Sequence, residues 1–268
     1  MNIEITKWGG RLGNNIQQLV HAIQVAIYYD YNLKIPDHWA FNTNYIIIND
    51  SVKENDDYNK DIIADGNGRW GDFFFAGRIK NIDSKLFNLN VDKSISILKS
   101  IFKITTDISL NDKELVIHIR SGDIFTSPPN SSVYIMPPLS FYQRIIDKED
   151  FRNIYIIAEN KKNPVIDKLL DLYPKIIFKK QSLQNDIKLL LSSKNVVESY
   201  GTFTNSLLLL SDNIHNIYRP SYQITSKLLL SEKKKITINE YDLKEYHRKL
   251  SPWRRSKEQL EMLLNYQM

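Results

Sequence analysis

The chain has 268 residues, 42% of them hydrophobic and 11% aromatic, which is enough for a buried core in one large domain or two small ones. It has no cysteine, which excludes disulfides and thiolate metal sites. The net charge of +5 invites anionic partners, but the basic residues form no single stripe and no DNA- or RNA-binding motif accompanies them, so nucleic acid is not an expected partner.

The opening segment Ile3-Glu4-Ile5-Thr6-Lys7 reads as a short strand. Trp8-Gly9-Gly10-Arg11-Leu12-Gly13-Asn14-Asn15 follows, then Ile16, Leu19, Val20, Ile23 and Ile27 at helical spacing. The pattern is strand, glycine-rich turn, then helix over 15–29. Glycines permit positive φ and close approach of backbone to a ligand. The helix start would offer free N–H groups to an anion. The turn lacks the Gly-Lys-Ser/Thr of a phosphate-binding P-loop and is not GxGxxG, so it can equally be a structural turn.

Strands are expected next at 33–35, 45–48, 62–64 and 70–74, and a broken helix over 79–102. Residues 104–113 are polar and turn-like and mark the crossover between halves, giving domains 1–110 and 111–268. The second half alternates more cleanly. Strands are expected at 115–119, 154–158, 175–178 and 195–198, with helices at 140–146, 164–172, 183–192 and 204–211. Such alternation predicts an α/β fold with parallel sheets.

The strand at 115–119 runs into Val116-Ile117-His118-Ile119-Arg120-Ser121-Gly122-Asp123. Arg120 there projects at a strand's carboxyl end, where open α/β sheets bind ligands. Its planar guanidinium suits a bidentate grip on phosphate. His118 alternates onto the same face as Arg120, and either contacts a nucleotide or fills a polar core position. Asp123 either orients Arg120 by an ion pair or helps bind an acceptor. In Glu198-Ser199-Tyr200-Gly201-Thr202-Phe203-Thr204-Asn205-Ser206, hydroxyls again open a helix. They could hold a phosphate or ribose, or Thr202 or Thr204 could simply be an N-cap.

Taken together, these three stretches resemble the alpha-1,2-fucosyltransferase family, glycosyltransferase family 11, and its wider fucosyltransferase relatives. That family opens with Gly-Gly-Leu-Gly-Asn-Gln before a helix, matched by Gly9-Gly10-Arg11-Leu12-Gly13-Asn14-Asn15 with one extra residue. Its central His-x-Arg-Arg-Gly-Asp is matched by His118-Ile119-Arg120-Ser121-Gly122-Asp123. Its late Ser-x-Ser-Thr-Phe-Ser is matched by Ser199-Tyr200-Gly201-Thr202-Phe203-Thr204. A weaker match is Asp65-Gly66-Asn67-Gly68-Arg69-Trp70-Gly71-Asp72. Three departures stand out: Ser121 replaces the second Arg, Tyr200-Gly201 replaces a Ser-rich pair, and Glu159-Asn160 replaces Asp-Asp.

The resemblance implies a GT-B-like fold of two Rossmann-like halves, an acceptor-side N-terminal domain and a donor domain that ends in a helical tail. It implies an inverting transfer of a sugar, fucose from GDP-fucose, to a glycan hydroxyl in surface polysaccharide or glycan assembly. Arg120 would grip the diphosphate, with His118 and Asp123 beside it. Arg11, Gly13, Asn14, Asp186, Ser199, Thr202, Phe203 and Thr204 would line the nucleotide sugar. Asp186 could accept from a base or ribose hydroxyl, or could serve only the dipole of its helix. No Asp-x-Asp clamp is evident and Asp56-Asp57 and Asp112 read as solvated, so transfer without a metal or other cofactor is expected. The general base is left open among Asp72, Asp123 and Glu159. The same residues would suit a GT-B transferase using a UDP-, dTDP- or CMP-linked sugar, or a non-catalytic nucleotide- or glycan-binding protein.

No run approaches the roughly 18 apolar residues of a membrane span. The chain opens directly on a strand, so no leader peptide and a cytoplasmic location are expected. Residues 241–266 read as a helical tail broken at Ser251-Pro252. Trp253, Leu260, Leu263 and Leu264 would either pack on the body or lie on a membrane beside Arg248, Lys249, Arg254 and Arg255, with lipid-linked oligosaccharide as a possible acceptor.

Overall fold

Short β-branched runs separated by amphipathic segments fold into parallel strands joined by helices, because each helix covers one face of the sheet it crosses. The computed structural model describes residues 2–48, 73–74, 89–126, 134–178, 180–223 and 235–268. The strand expected at 62–64, most of the one at 70–74, the Asp65–Asp72 segment, Asp56-Asp57 and the first part of the helix expected at 79–102 lie outside the described residues.

The described residues fall into two units. One takes in those within Met1–Thr105 and Asn205–Leu210. The other takes in those within Thr106–Thr204, Ser211–Thr225 and Lys235–Met268. The main division falls at Thr105/Thr106 rather than 110/111, and Asn205–Leu210 joins the first unit. There Ser206 Oγ donates to Gly13 O at 2.9 Å.

In the first unit, β1 (Asn2–Glu4) and β2 (Asn32–Lys34) are parallel, and β3 (Tyr45–Ile46) pairs antiparallel with β2. The antiparallel third strand departs from an all-parallel sheet, since β2 and β3 join by a short return with no crossover helix. Helix α1 (Leu12–Tyr29) links β1 to β2. It begins at Leu12 rather than residue 15, because Leu12, Gly13 and Asn15 are themselves buried. It ends at Asp30, whose left-handed backbone (φ 58°) turns the chain into β2. Helix α2 (Val91–Ile101) follows, with Ile95, Leu98 and Ile101 inward.

The second unit is a six-stranded parallel sheet. Its strands are β4 (Glu114–His118), β5 (Asn153–Ile157), β6 (Ile176–Phe178), β7 (Asn195–Val197), β8 (Asn216–Pro220) and β9 (Thr237–Tyr241). They lie in the order β6-β5-β4-β7-β8-β9. The chain builds outward from β4 to β6, then returns to β7 on the other side and builds outward again. This is the doubly wound order 3-2-1-4-5-6, with its reversal between β4 and β7. Strands β8 and β9 extend the sheet beyond the sequence expectation, and Tyr241 closes β9 rather than opening a helix.

Leu115, Ile117 and Ile119 of the β4 segment, Ile154 and Ile156 of β5, and Val197 of β7 share one face. Their core includes residues of α3 (Leu139–Lys148), α4 (Pro164–Leu172) and α8 (Lys257–Asn265). Helix α5 (Leu183–Ser192) crosses from β6 back to β7, and a right-handed crossover in that direction puts it on the opposite face. Helix α6 (Phe203–Leu208) follows β7.

The tail folds as α7 (Lys244–Leu250) and α8. Trp253 and Leu263 are fully buried, and Leu260 and Leu264 pack partly buried against the same core. The apolar side chains that a membrane reading requires therefore face protein. Among the described residues, no helix is long and apolar enough to cross a membrane.

Candidate functional site

In a doubly wound sheet the loops leaving the first and fourth strands diverge to opposite faces and leave a crevice at their carboxyl ends. Here that point lies between β4, which leads into Arg120, and β7, which leads into Ser199. The two loops are tied together: Arg120 N donates to Ser199 Oγ at 3.1 Å.

The turn after Arg120 is heavily braced. Asn163 Nδ2 donates to Arg120 O at 3.0 Å. Ser121 Oγ donates to Asn160 Oδ1 at 2.8 Å and accepts from Asn163 N at 3.0 Å. Gly122 N also reaches Asn160 Oδ1, at 3.3 Å. Gly122 has φ +76°, and a Cβ there would run into the Glu159 carboxylate. Two of the three departures from the pattern of the resembled family, Ser121 and Glu159-Asn160, thus meet each other and shape this turn. A single 3-10 turn, Gly122–Phe125, continues it.

That turn brings Asp123 back beside Arg120. Arg120 Nη2 donates to Asp123 Oδ1 at 2.8 Å, with both side chains about one-fifth to one-quarter exposed. The guanidinium lies 5.5 Å from the Tyr134 ring centroid. Arg120 Nε is buried without a hydrogen-bond partner. Asp123 and Tyr134 fix the plane of the fork, and its Nε donor is left unused.

His118 is buried on the same strand. Its Nδ1 lies 2.7 Å from Thr204 Oγ1, and its ring centroid is 5.2 Å from that of Phe203. Burial, and then the Arg120 charge, push its pKa down to about 3. The imidazole is therefore neutral at physiological pH. It can exchange hydrogen bonds with a ligand without adding charge, and it is too weak a base to take a proton from an alcohol.

Ser199, Phe203 and Thr204 thus join His118, Arg120 and Asp123 in one constellation, with Thr202 half-buried at the start of α6. Helix α6 has only six residues, so its dipole is a poor anion holder. Its contribution is the Thr204 side chain. Gly201, at φ +122°, has its carbonyl held by Gln223 Nε2 at 3.0 Å.

The other expected residues are carried by other elements. Arg11, Gly13 and Asn14 belong to the first unit. Arg11 occupies the N-cap of α1 without a capping side-chain bond, and its carbonyl accepts from Asn14 N and Asn15 N. Gly13 and Asn14 are therefore first-turn residues of the helix. Asp186 lies in the first turn of α5, two strands away from β4, where its carboxylate accepts from Gln181 Nε2 at 2.7 Å. Partial burial pushes its pKa up to about 6, against the pull of that bond. Among the described residues, no group of three or more His, Asp or Glu is placed to hold a metal ion.

Sequence reasoning passed over Asn163, and singled out Asn160 only as part of a departure from the family pattern. Asn163-Pro164 does carry a signal, since an Asn before Pro is a helix N-cap followed by a favoured first residue. The structure uses it so, with Asn163 Oδ1 accepting from Val165 N. Nothing local announces that the same side chain holds Arg120.

No protein-family model matches the sequence, and no curated protein matches it. Among solved structures, NodZ alpha-1,6-fucosyltransferase soaked with GDP-fucose aligns with 78% of this chain and 92% of its own, at 12% identity and a TM-score of 0.38. A second structure, the fucosyltransferase NodZ from Bradyrhizobium, aligns with 78% and 93%, at 12% identity and a TM-score of 0.37. A likeness at that level says nothing of this chain's chemistry.

Proposed function

We propose that this chain is a glycosyltransferase in which Arg120 grips the diphosphate of a nucleotide sugar at the β4/β7 switch point. The observation that carries the reading is Arg120 itself. Its backbone is tied by Ser199 and Asn163, its fork is set by Asp123 and Tyr134, and its Nε is left unused. Beside it, His118 is kept neutral and the hydroxyl of Thr204 fixes its ring.

In this reading the acceptor hydroxyl oxygen attacks the anomeric carbon in one displacement. The bond to the β-phosphate oxygen breaks, the configuration inverts, and the hydroxyl proton leaves to a base or to solvent. Arg120 meets the charge that develops on the departing diphosphate, and no metal is required. The family resemblance makes GDP-fucose the donor and a glycan hydroxyl the acceptor. Arg120→Lys keeps the charge and loses the fork, so turnover should fall on the order of a hundredfold, with melting temperature little changed. Normal turnover in that variant would remove the centrepiece of the reading.

A second reading, another nucleotide-linked sugar, is favoured by Ser121. That side chain is buried and bonded to Asn160 and Asn163, so the second arginine of the family pattern has no counterpart here. Thermal stabilisation by GDP but not UDP or CMP supports fucosyl transfer, and the reverse supports the second reading.

A further inference from the structure

One buried carboxylate has no place in that mechanism. Glu198 stands where β7 ends, one residue before Ser199. It is fully buried, and neither of its oxygens has a hydrogen-bond partner. An ionised carboxylate in that state is costly, whereas a protonated one is tolerable.

The sheet register shows its neighbours. Val116 pairs with Val196 and Ile117 with Val197, so the next step sets His118 beside Glu198. Val197 pairs with Tyr218, and Glu198 N donates to Tyr218 O at 2.9 Å, so the following residue, Arg219, comes alongside Glu198 on the other flank. Arg219 pairs with Glu240 of β9 and already donates to its carboxylate at 2.8 Å. The row across this face is therefore His118, Glu198, Arg219, Glu240. Arg120 lies one alternation beyond His118. Helix α6 brings no charged residue. Helix α5 turns Ile187, Leu190 and Leu191 inward, while its Lys188 extends toward Asp107.

We propose that Glu198 is a proton-linked positioning residue, and that an anion bound at Arg120 draws a proton onto its carboxyl. The inference rests on the diphosphate reading of Arg120. Burial pushes the Glu198 carboxyl up to about 7, and Arg219 pulls it only partly back. Neutral Glu198 leaves the field of Arg120 and Arg219 available to a polyanion. Ionised Glu198 opposes it. Strand spacing and the two-residue alternation put Glu198 roughly 8 Å from Arg120 along the backbone, where one unit charge changes anion affinity on the order of tenfold.

The test is GDP affinity against pH for wild type and Glu198→Gln, which mimics the protonated form. Between pH 6 and 8.5, wild-type affinity should fall about tenfold more than that of the variant. Comparing the two cancels the titration of GDP itself and of the other histidines. Parallel profiles would overturn the coupling and leave the diphosphate reading standing. Failure of wild type to bind either GDP or UDP at any pH would overturn both; if UDP binds in place of GDP, the same comparison is made with UDP. Should Glu198→Gln fail to fold, infrared difference spectra of wild type provide a second measure. The protonated-carboxyl band should grow when GDP is added at pH 8, and an unchanged band would overturn the proposal.

Discussion

Two glycine turns in this chain use the same backbone device and differ in what holds them. Gly10 and Gly122 have φ of +73° and +76°, and at each an added Cβ would strike a polar side chain, Asn14 or Glu159. The first turn is held locally by the helix it opens. Gln18 Oε1 accepts from Gly9 N at 2.9 Å, and Asn15 Nδ2 donates to Gly9 O at 3.0 Å. The second is held from a distance by Ser199, Asn160 and Asn163 on other loops. A locally held turn can form with its helix. A turn held from afar forms only when the sheet has closed, so its shape reports the whole unit. The turn with the candidate phosphate ligand is the second kind.

The sharpest way to break the comparison is Asn163→Ala. It removes the α4 cap and the brace on Arg120 O from a fully buried position, and should cost about 2–3 kcal/mol in denaturant unfolding. It should also weaken GDP binding, since the Arg120 turn loses its support. Gln18→Ala should cost about 2 kcal/mol and leave GDP binding at Arg120 unchanged if the first turn is only structural. Equal losses of binding would erase the distinction.

Alanine at the two glycines sharpens it further. Both sites carry the left-handed penalty of about 1 kcal/mol. At Gly10 the new methyl also meets Asn14 Cβ at 3.2 Å, which no side-chain rotation relieves. At Gly122 the obstacle is the far end of Glu159, which can swing away. Gly10→Ala should therefore destabilise more in thermal melts, by about 1 kcal/mol.

The smallest expected effect is at Asp186. Its folded pKa is raised from 3.8 to about 6, so the native state holds a proton that the unfolded chain has released between those values. Stability from this group is lost as pH rises from about 4 to 6. Asp186→Asn should restore under about 1 kcal/mol at pH 8, discounted for solvent screening, and nothing at pH 3. An equal gain at both pH values would mean that the carboxyl is not the cause.

Much of the second unit was legible because its signals are local. Pro164 and Ser182 mark helix starts, and α4 and α5 occupy the expected 164–172 and 183–192. His118, Arg120 and Asp123 were legible as a set because the strand pattern runs directly into them. Strands β8 and β9 were not. Asn216–Pro220 is short and carries Arg219 and Pro220, and Thr237–Tyr241 follows a lysine run. They are strands because the sheet edge beside β7 needs covering. The burial of Glu198 was equally hidden. A glutamate after two valines reads as the solvated end of a strand, and only the register beside β4 and β8 encloses it. The same holds for Asn163, whose second partner lies 43 positions away.

The tail latch sets a schedule for synthesis. Trp253 Nε1 donates to Ile124 O, and Arg255 Nη1 donates to Phe125 O, both in the 3-10 turn that follows Arg120. Residue 253 is made 129 positions after residue 124. At ribosomal speeds that is on the order of ten seconds. Through that interval the nascent chain carries the residues of its Arg120 turn without the indole and guanidinium that later pin it. The site is among the first parts of its unit to be translated and among the last to be finished.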